Sequence, residues 1–337
     1  MTRIAIIGAG AFAQVHLDIL SRLPRVELAW ICDANAEVAR TAAERYGAAN
    51  WTTDYSDALA DAAVDAVDIV TPNHLHMSIA IAAAEAGKHV ICEKPLALTV
   101  EEGTRMATAA ATNGVSLMAK YHQRFDPVHS VLADLVGEAP EAFRVGMSRR
   151  VSNHLGTLLD KGHWRGNPAL TGGGLLFSSG SHTLDVLATV FGPVSAVTAV
   201  TRQLVADDPG KADDNATVVL EHVRGAMSTF TGCWTAKQDS NTVIDAISTD
   251  QTLRAVTDAD DLVLLRITSS GTEELLRSAN WFVESNRRAL EALTDSIAGD
   301  AEVSYTIDDI LASMSVLEAA YRSSREGHRI PVNAAPQ

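Results

Sequence analysis

The chain has 337 residues, enough for about two domains. Hydrophobic residues make up 47% of it, so it can bury a sizeable core, while 27 Lys and Arg against 42 Asp and Glu leave a net charge of −15. A surface that acidic, with no long basic block, repels phosphate backbones and anionic lipid, so neither nucleic acid nor membrane is an expected partner.

Three cysteines, Cys32, Cys92 and Cys233, occur without a Cys-x-x-Cys spacing. That argues against a disulfide framework or a cysteine-built zinc site. The N-terminus enters an apolar run without a signal-peptide core, and charges interrupt every apolar stretch before the roughly 20 residues that span a bilayer. A cytoplasmic protein is expected.

In chain order, residues 4–7 read as a buried strand and 12–23 as a helix with Val15, Ile19 and Leu23 on one side. A strand at 26–31 and an Ala-rich helix at 35–46 follow, then a strand at 66–70 and a helix at 75–86. Strands at 89–92 and 115–118 flank a helix at 99–113. Such alternation predicts a doubly wound, parallel α/β sheet of the Rossmann type over residues 1–123. From residue 124 the pattern changes, and 124–337 reads as an α+β domain. A helix at 127–136 and a strand at 141–151 come first, and Gly172-Gly173-Gly174 precedes an apolar helix running through 183–191. Strand-like runs at 194–201, 215–221, 226–235, 242–248, 252–256 and 262–267, separated by polar turns such as Asp207-Asp208-Pro209-Gly210, predict a large, mostly antiparallel sheet. Helices at 281–298 and 307–325 close the chain. Met314, Leu317 and Tyr321 share a helical spacing and read as packing residues.

Gly8-Ala9-Gly10-Ala11-Phe12-Ala13 is a G-x-G-x-x-A run between the first strand and the first helix. Its first glycine permits a tight turn, the second lets backbone approach a pyrophosphate, and the small Ala13 lets helix and strand pack closely. The helix N-terminus offers unpaired N–H groups to phosphate. Asp33 ends the second strand 23 residues past Gly10, where a carboxylate accepts hydrogen bonds from ribose hydroxyls and repels a 2′-phosphate. NAD is therefore favoured over NADP, with Arg40 the one cation a helical turn away. Against this stand two plainer readings: an ordinary glycine turn, and Asp33 as the N-cap of the next helix.

Two further clusters follow strands where a doubly wound sheet binds ligands: Thr71-Pro72-Asn73-His74-Leu75-His76 and Cys92-Glu93-Lys94-Pro95. Together with the glycine turn, Lys120-Tyr121-His122-Gln123-Arg124-Phe125, Trp164-Arg165, Gly172-Gly173-Gly174, Gly180-Ser181-His182 and Asp185, they resemble the Gfo/Idh/MocA family of sugar and cyclitol oxidoreductases. The resemblance implies that Lys94 lies between nicotinamide ribose and substrate and that His182 exchanges the hydroxyl proton. It places Thr71, Pro72, Asn73 and His76 in the cofactor pocket, with Pro72 shaping the nicotinamide end and Glu93 bracing the ribose. Histidine suits the proton role, since its ordinary pKa lies near ~6.5. One departure stands out. Family dehydrogenases carry an aspartate four residues before the histidine, and here that residue is Ser178; Asp185 is the acid left to support the imidazole, or else a structural residue.

Arg124, Asp160, Trp164 and Arg165, with Ser178, Lys94 and His182, are the expected substrate contacts, Trp164 covering an apolar sugar face. Lys161, His163, Asn153 and His154 lie in the same stretch, which also reads as a polar loop around a core tryptophan. His74 and His76 form no metal site for want of a third ligand. His16, His129, His222 and His328 carry no motif and are expected on the surface or satisfied in the core. The expected function is hydride transfer between NAD and a secondary alcohol of a sugar, sugar derivative or cyclitol. Ser178 keeps open an enzyme that retains NAD and uses transient oxidation to cleave or epimerise, and a decayed nucleotide sensor. A sheet with one face on helices leaves the other to be covered by a second copy, and the resemblance implies a homodimer or homotetramer.

Overall fold

A computed structural model describes residues 1–152, 156, 164–205, 212–237 and 240–332. The chain divides into two compact units, Met1–His122 with Asn286–Ile310, and Gln123–Ser285 with Leu311–Gln337. A single cut after residue 123 misses the return of 286–310 to the first unit. Nothing in the local pattern of an amphipathic helix says which core its apolar face joins.

The first unit holds β1 (Thr2–Ile7), α1 (Ala13–Leu20), β2 (Val26–Cys32), α2 (Ala36–Tyr46), β3 (Asn50–Thr52), α3 (Tyr55–Ala60), β4 (Ala66–Ile69), α4 (His76–Glu85), β5 (His89–Cys92), α5 (Val100–Thr112) and β6 (Leu117–Ala119). The six strands are parallel in the order β3-β2-β1-β4-β5-β6. Ile4, Ala5, Ile6, Val67, Ile69, Val90 and Ile91 are fully buried because helices cover both faces. The strand order reverses between β1 and β4, which sets the Gly8 turn beside the Thr71 turn at the carboxyl edge. Local signals place the helix ends. Asn35 Oδ1 accepts from Glu37 and Val38 N–H, and Gly47 ends α2 in the left-handed region at φ 70°. Asn35, not Asp33, is thus the N-cap. The pair β3 and α3 was not expected from sequence, since three and six residues are too short to show a period.

The second unit opens with α6 (Pro127–Glu138), capped by Asp126, and β7 (Val145–Val151). Then come α7 (Pro168–Thr171), a π-helical turn at Leu176–Gly180 running directly into α8 (Ser181–Phe191), and β8 (Val194–Arg202). After these lie β9 (Asn215–His222), β10 (Met227–Cys233), β11 (Asn241–Ile247), β12 (Thr252–Asp258), β13 (Asp261–Thr268) and β14 (Gly271–Ser278). The remaining elements are α9 (Trp281–Ile297) and α10 (Ile307–Glu326), whose residues 286–297 and 307–310 belong to the first unit, and β15 (Ile330–Pro331). Among the described residues nine strands form one sheet, β14-β13-β12-β11-β7-β10-β9-β8-β15, antiparallel except where β7 and β10 run parallel. The strand β14 went unread because Gly-Thr-Glu-Glu-Leu-Leu-Arg-Ser shows no alternation: as an edge strand with a largely exposed surface it needs none, and its charges deter further pairing. The start expected at 141 moves to Val145, because residues 139–142 turn.

Candidate active site

The glycine turn fits a dinucleotide on its own geometry. Gly8 sits at φ 96°, and a Cβ there would stand 2.6 Å from Val70 O, so only glycine closes this turn. An added Cβ on Gly10 would meet nothing within 4 Å, which leaves the backbone open to a phosphate. Helix α1 starts at Ala13 without a side-chain cap, Ala11 is exposed and Phe12 half-buried, so the first N–H groups have no side-chain acceptor. Asp33 Oδ2 accepts from Ala9 N–H at 2.9 Å and Oδ1 from Asn35 N–H at 2.9 Å, which fixes the carboxylate at the carboxyl edge beside the turn. Thr71 Oγ1, closed off from solvent against Gly8, has no hydrogen-bond partner among the described residues. Arg40 is held by Glu37 and Glu44, each at 2.7 Å, and does not stand free for a 2′-phosphate.

Beneath this edge lies a buried charge network that sequence reasoning missed. His16 is wholly buried; Nδ1 donates to Asp68 Oδ2 at 2.6 Å and Nε2 to Glu93 Oε1 at 3.1 Å. Lys120, also at 0% exposure, donates to the same Glu93 oxygen at 2.8 Å and to Asn286 Oδ1, and lies over the Phe12 ring. Burial alone pulls the His16 pKa down, but the Asp68 charge and the two carboxylate hydrogen bonds outweigh both burial and the Lys120 charge, so it ends above its ordinary value. Burial pushes Glu93 up, yet Lys120 and His16 hold it well below the usual carboxylate range. The other Glu93 oxygen accepts from Lys94 N–H at 3.1 Å. Glu93 therefore grips the turn that carries Lys94, while its expected ribose contact has one lone pair of Oε2 left to use. His76, wholly buried, ties the same turn to the Thr71 loop: Nε2 faces Thr71 O at 3.0 Å and Nδ1 faces Pro95 O at 3.1 Å. Burial lowers its pKa, so the ring is neutral and donates from one nitrogen. Pro72, Asn73 and Lys94 are half-buried on these two turns.

In the second unit the glycine triplet packs where no side chain fits: a Cβ on Gly174 would stand 1.9 Å from Asp213 O, and one on Gly173 would stand 2.1 Å from Tyr321 Oη. Asp213 accepts from Gly174 N–H at 2.8 Å and from Leu176 N–H at 2.9 Å. Tyr321 donates to Asp213 at 2.6 Å and accepts from Gly174 and Phe177 N–H at 3.2 and 3.1 Å. Tyr321, expected only to pack, thus holds the start of the π-helical turn that leads to His182. Removing its hydroxyl takes this acceptor from Phe177 N–H and a donor from the buried Asp213, while Gly174 N–H keeps Asp213, so Tyr321→Phe is expected to cost about 1–3 kcal/mol in chemical unfolding. A loss under a few tenths would refute that role.

His182 is 5% exposed at the N-terminus of α8. Asp185 does not serve its imidazole: Oδ2 and Oδ1 accept from Arg124 at 2.8 and 2.7 Å, and Ser313 Oγ donates to Oδ1 at 2.6 Å. The same pairing engages Arg124, expected to reach substrate. Ser178 is half-buried in the π-helical turn, and Trp164 and Arg165, half-buried, stack on one another at 5.1 Å. Asp160, Lys161, His163, Asn153 and His154, and the turn at 207–210, lie outside the described residues. His222 is satisfied by Gly192 O and Ser228 Oγ, and His328 is exposed. His129 is buried but not satisfied: Nδ1 donates to Gln123 O at 3.1 Å, while Nε2 has no partner among the described residues. The described residues contain no group of three or more His, Cys, Asp or Glu able to hold a metal, and no helix long and apolar enough to cross a membrane.

Comparison with known proteins agrees with this architecture. Residues 2–121 match an oxidoreductase family with an NAD-binding Rossmann fold, and residues 139–254 match the Gfo/Idh/MocA C-terminal domain. A levoglucosan dehydrogenase of Pseudarthrobacter phenanthrenivorans is 34% identical over 236 residues, 64% of this chain. The match spans 58% of that protein, so less than two thirds of its length has a counterpart here. A D-apiose dehydrogenase of Paraburkholderia graminis is 26% identical over 98% of this chain and 89% of its own. A levoglucosan dehydrogenase solved with NADH superposes at a TM-score of 0.89, 23% identical, over 99% of this chain and 100% of that one, a likeness of fold. On both halves, then, the chain belongs to the Gfo/Idh/MocA oxidoreductase family, with an NAD-binding Rossmann fold at its N-terminus.

Proposed function

We propose that the protein is an NAD-dependent dehydrogenase acting on a secondary alcohol of a sugar, sugar derivative or cyclitol, in the cytoplasm. The first unit binds the dinucleotide and the second supplies substrate contacts. The observation that carries the reading is the grip of Glu93 on the Lys94 turn at the carboxyl edge, beside a glycine turn that admits a pyrophosphate. Dehydrogenation and reduction of sugars are what the names of the relatives describe.

NAD supplies a hydride acceptor when bound. Gly8, Gly10, Ala11, Phe12 and Ala13 present backbone to its phosphates, and Asp33 accepts from ribose hydroxyls. Thr71 Oγ1, Pro72, Asn73 and His76 shape the pocket. Lys94 donates to the substrate hydroxyl and favours its deprotonated form, and His182 takes the proton. Arg165, Trp164 and Asp160 contact the sugar. Ser178 offers His182 a neutral hydroxyl in place of a carboxylate. The decisive assay is a panel of sugars, polyols and cyclitols with NAD and NADP, read by reduced-nicotinamide absorbance. Turnover with NAD well above NADP is expected, since Asp33 repels a 2′-phosphate and Arg40 is engaged. Cofactor binding without turnover of any panel member would sink the reading.

Ser178, together with the engagement of Asp185 by Arg124, favours a second reading: NAD is retained and transient oxidation loosens a glycosidic bond or an epimerisable centre. Sugar products formed with stoichiometric cofactor and no accumulating NADH distinguish it. Along the uncovered face of the second sheet, Met227 is registered with Val145 and Thr229 with Met147, and the exposed Met227, Val145 and Met147 form an apolar patch. This patch pairs with a second copy in a homodimer or homotetramer. Light scattering at micromolar concentration is expected to show at least a dimer, and a monomer would remove this assignment.

A further inference from the structure

We infer that Arg150 anchors an oxyanion on the substrate, so that the polyol this protein oxidises carries a carboxylate or a phosphate ester. The inference rests on the oxidoreductase reading and narrows its substrate class.

Alternation along β7 puts Gly146, Ser148 and Arg150 on the covered face of the sheet. A Cβ on Gly146 would lie 2.5 Å from the Phe191 ring at the far end of α8, and Ser148 is buried. Across the neighbouring strands Arg150 is registered with Gly232 of β10 and Thr242 of β11. Gly232 is where the segment leading into α8 meets the sheet. A Cβ there would lie 2.5 Å from Leu175 Cδ2, and two residues on Trp234 Nε1 donates to Ser179 Oγ at 3.1 Å. Arg150 is thus one strand spacing, about 4.8 Å, from the residue beneath the π-helical turn. His182 follows the last residue of that turn by two positions. The guanidinium and the imidazole therefore belong to one end of one layer of the second unit.

Few of the described residues hold this cation. One terminal nitrogen of Arg150 donates to Thr242 Oγ1 at 3.2 Å, and Nε, shut off from solvent, has no partner among the described residues. No carboxylate among the described residues pairs with it. The acids of the surrounding layer are taken: Asp185 by Arg124 and Ser313, and Asp126 by Ser278 Oγ at 2.8 Å and Val128 N–H at 2.9 Å. Desolvation pushes the Arg150 pKa down to about 10, so the group stays charged at neutral pH without a counter-charge among the described residues. Arg150 is half-buried, and the part of its guanidinium that has left water without a counter-charge among the described residues is costly. The planar fork of a guanidinium matches a carboxylate or phosphate in two hydrogen bonds, and a ligand oxyanion there supplies the missing charge.

The test uses the full chain with NAD and matched sugars at constant ionic strength: glucose, glucuronate and glucose 6-phosphate, then galactose and galacturonate. Calorimetry reads binding, and nicotinamide absorbance reads turnover. An acid is expected to bind more tightly than its neutral parent by about tenfold to a hundredfold. Arg150→Met should collapse that ratio toward one, and Arg150→Lys should keep part of it. The better of carboxylate and phosphate names the group, and either supports the inference. Its unfolding midpoint is a second readout: Arg150→Met without ligand should match or exceed the parent, because an uncompensated charge is gone. No binding of any acid, an acid-to-neutral ratio near one, a ratio that survives Arg150→Met, or a lowered midpoint would each overturn it. Turnover of neutral sugars would leave the oxidoreductase reading intact. Acid binding that depends on Arg150, without turnover, would keep the anion site and remove the dehydrogenase.

Discussion

Replacing Lys120 by methionine should destabilise the first unit by about 3–5 kcal/mol, the scale for breaking a buried ion pair by deleting one partner. Methionine keeps much of the length and apolar stem but removes the ammonium that donates to Glu93 Oε1 and Asn286 Oδ1, both wholly or nearly buried. Glu93 then keeps the His16 hydrogen bond and the more distant Lys94 charge, and the Lys94 turn loses part of its anchor. Urea unfolding measures the loss. The double variant Glu93→Gln with Lys120→Met should lose less than the sum of the single variants, because it removes opposite charges together. A Lys120→Met cost below about 1 kcal/mol would show the pair to be idle.

The network also predicts a pH profile. Glu93 is depressed in the fold, so its contribution is present above the ordinary carboxylate value of about 4.3 and fades as pH falls through the depressed value. His16 is raised, so its contribution is complete below the ordinary imidazole value of about 6.5 and fades as pH rises through the raised one. Both are fully present between about pH 4.3 and 6.5, and His16→Ala should flatten the alkaline side.

The second large effect concerns chemistry. Lys94→Ala and His182→Ala are each expected to lower kcat by about a hundredfold to ten-thousandfold, the usual worth of a positioned acid–base group. NADH affinity, read by fluorescence titration, should change far less, because the proposed binding mode holds the dinucleotide on the glycine turn and Asp33. A kcat within about fivefold of the parent for either variant would remove that residue from proton handling. Equal losses in turnover and NADH affinity for Lys94→Ala would recast it as a cofactor ligand. Glu93→Gln offers a useful contrast. It leaves Lys94 in place but loosens the turn beneath it, so a positioning role predicts a turnover loss smaller than that of Lys94→Ala.

Much of this protein was readable from the chain itself, because local physics speaks there. Strand and helix alternation and a turn closed only by glycine at Gly8 are written in short spacings, and strands joined through helices return parallel to one another. Tertiary structure decided the rest, wherever a residue's meaning depends on what comes from far along the chain. His16 looked ordinary until Asp68, Glu93 and Lys120 closed around it from up to 104 residues away. Tyr321 had a packing residue's spacing, but its hydroxyl meets Asp213 108 residues earlier. Asp185 could be placed on the helix of His182 from sequence, yet only the fold shows Arg124 and Ser313 holding it. Periodicity reports which face of an element is buried, whereas the partner a buried charge finds is set by chain topology, and that is a property of the whole fold.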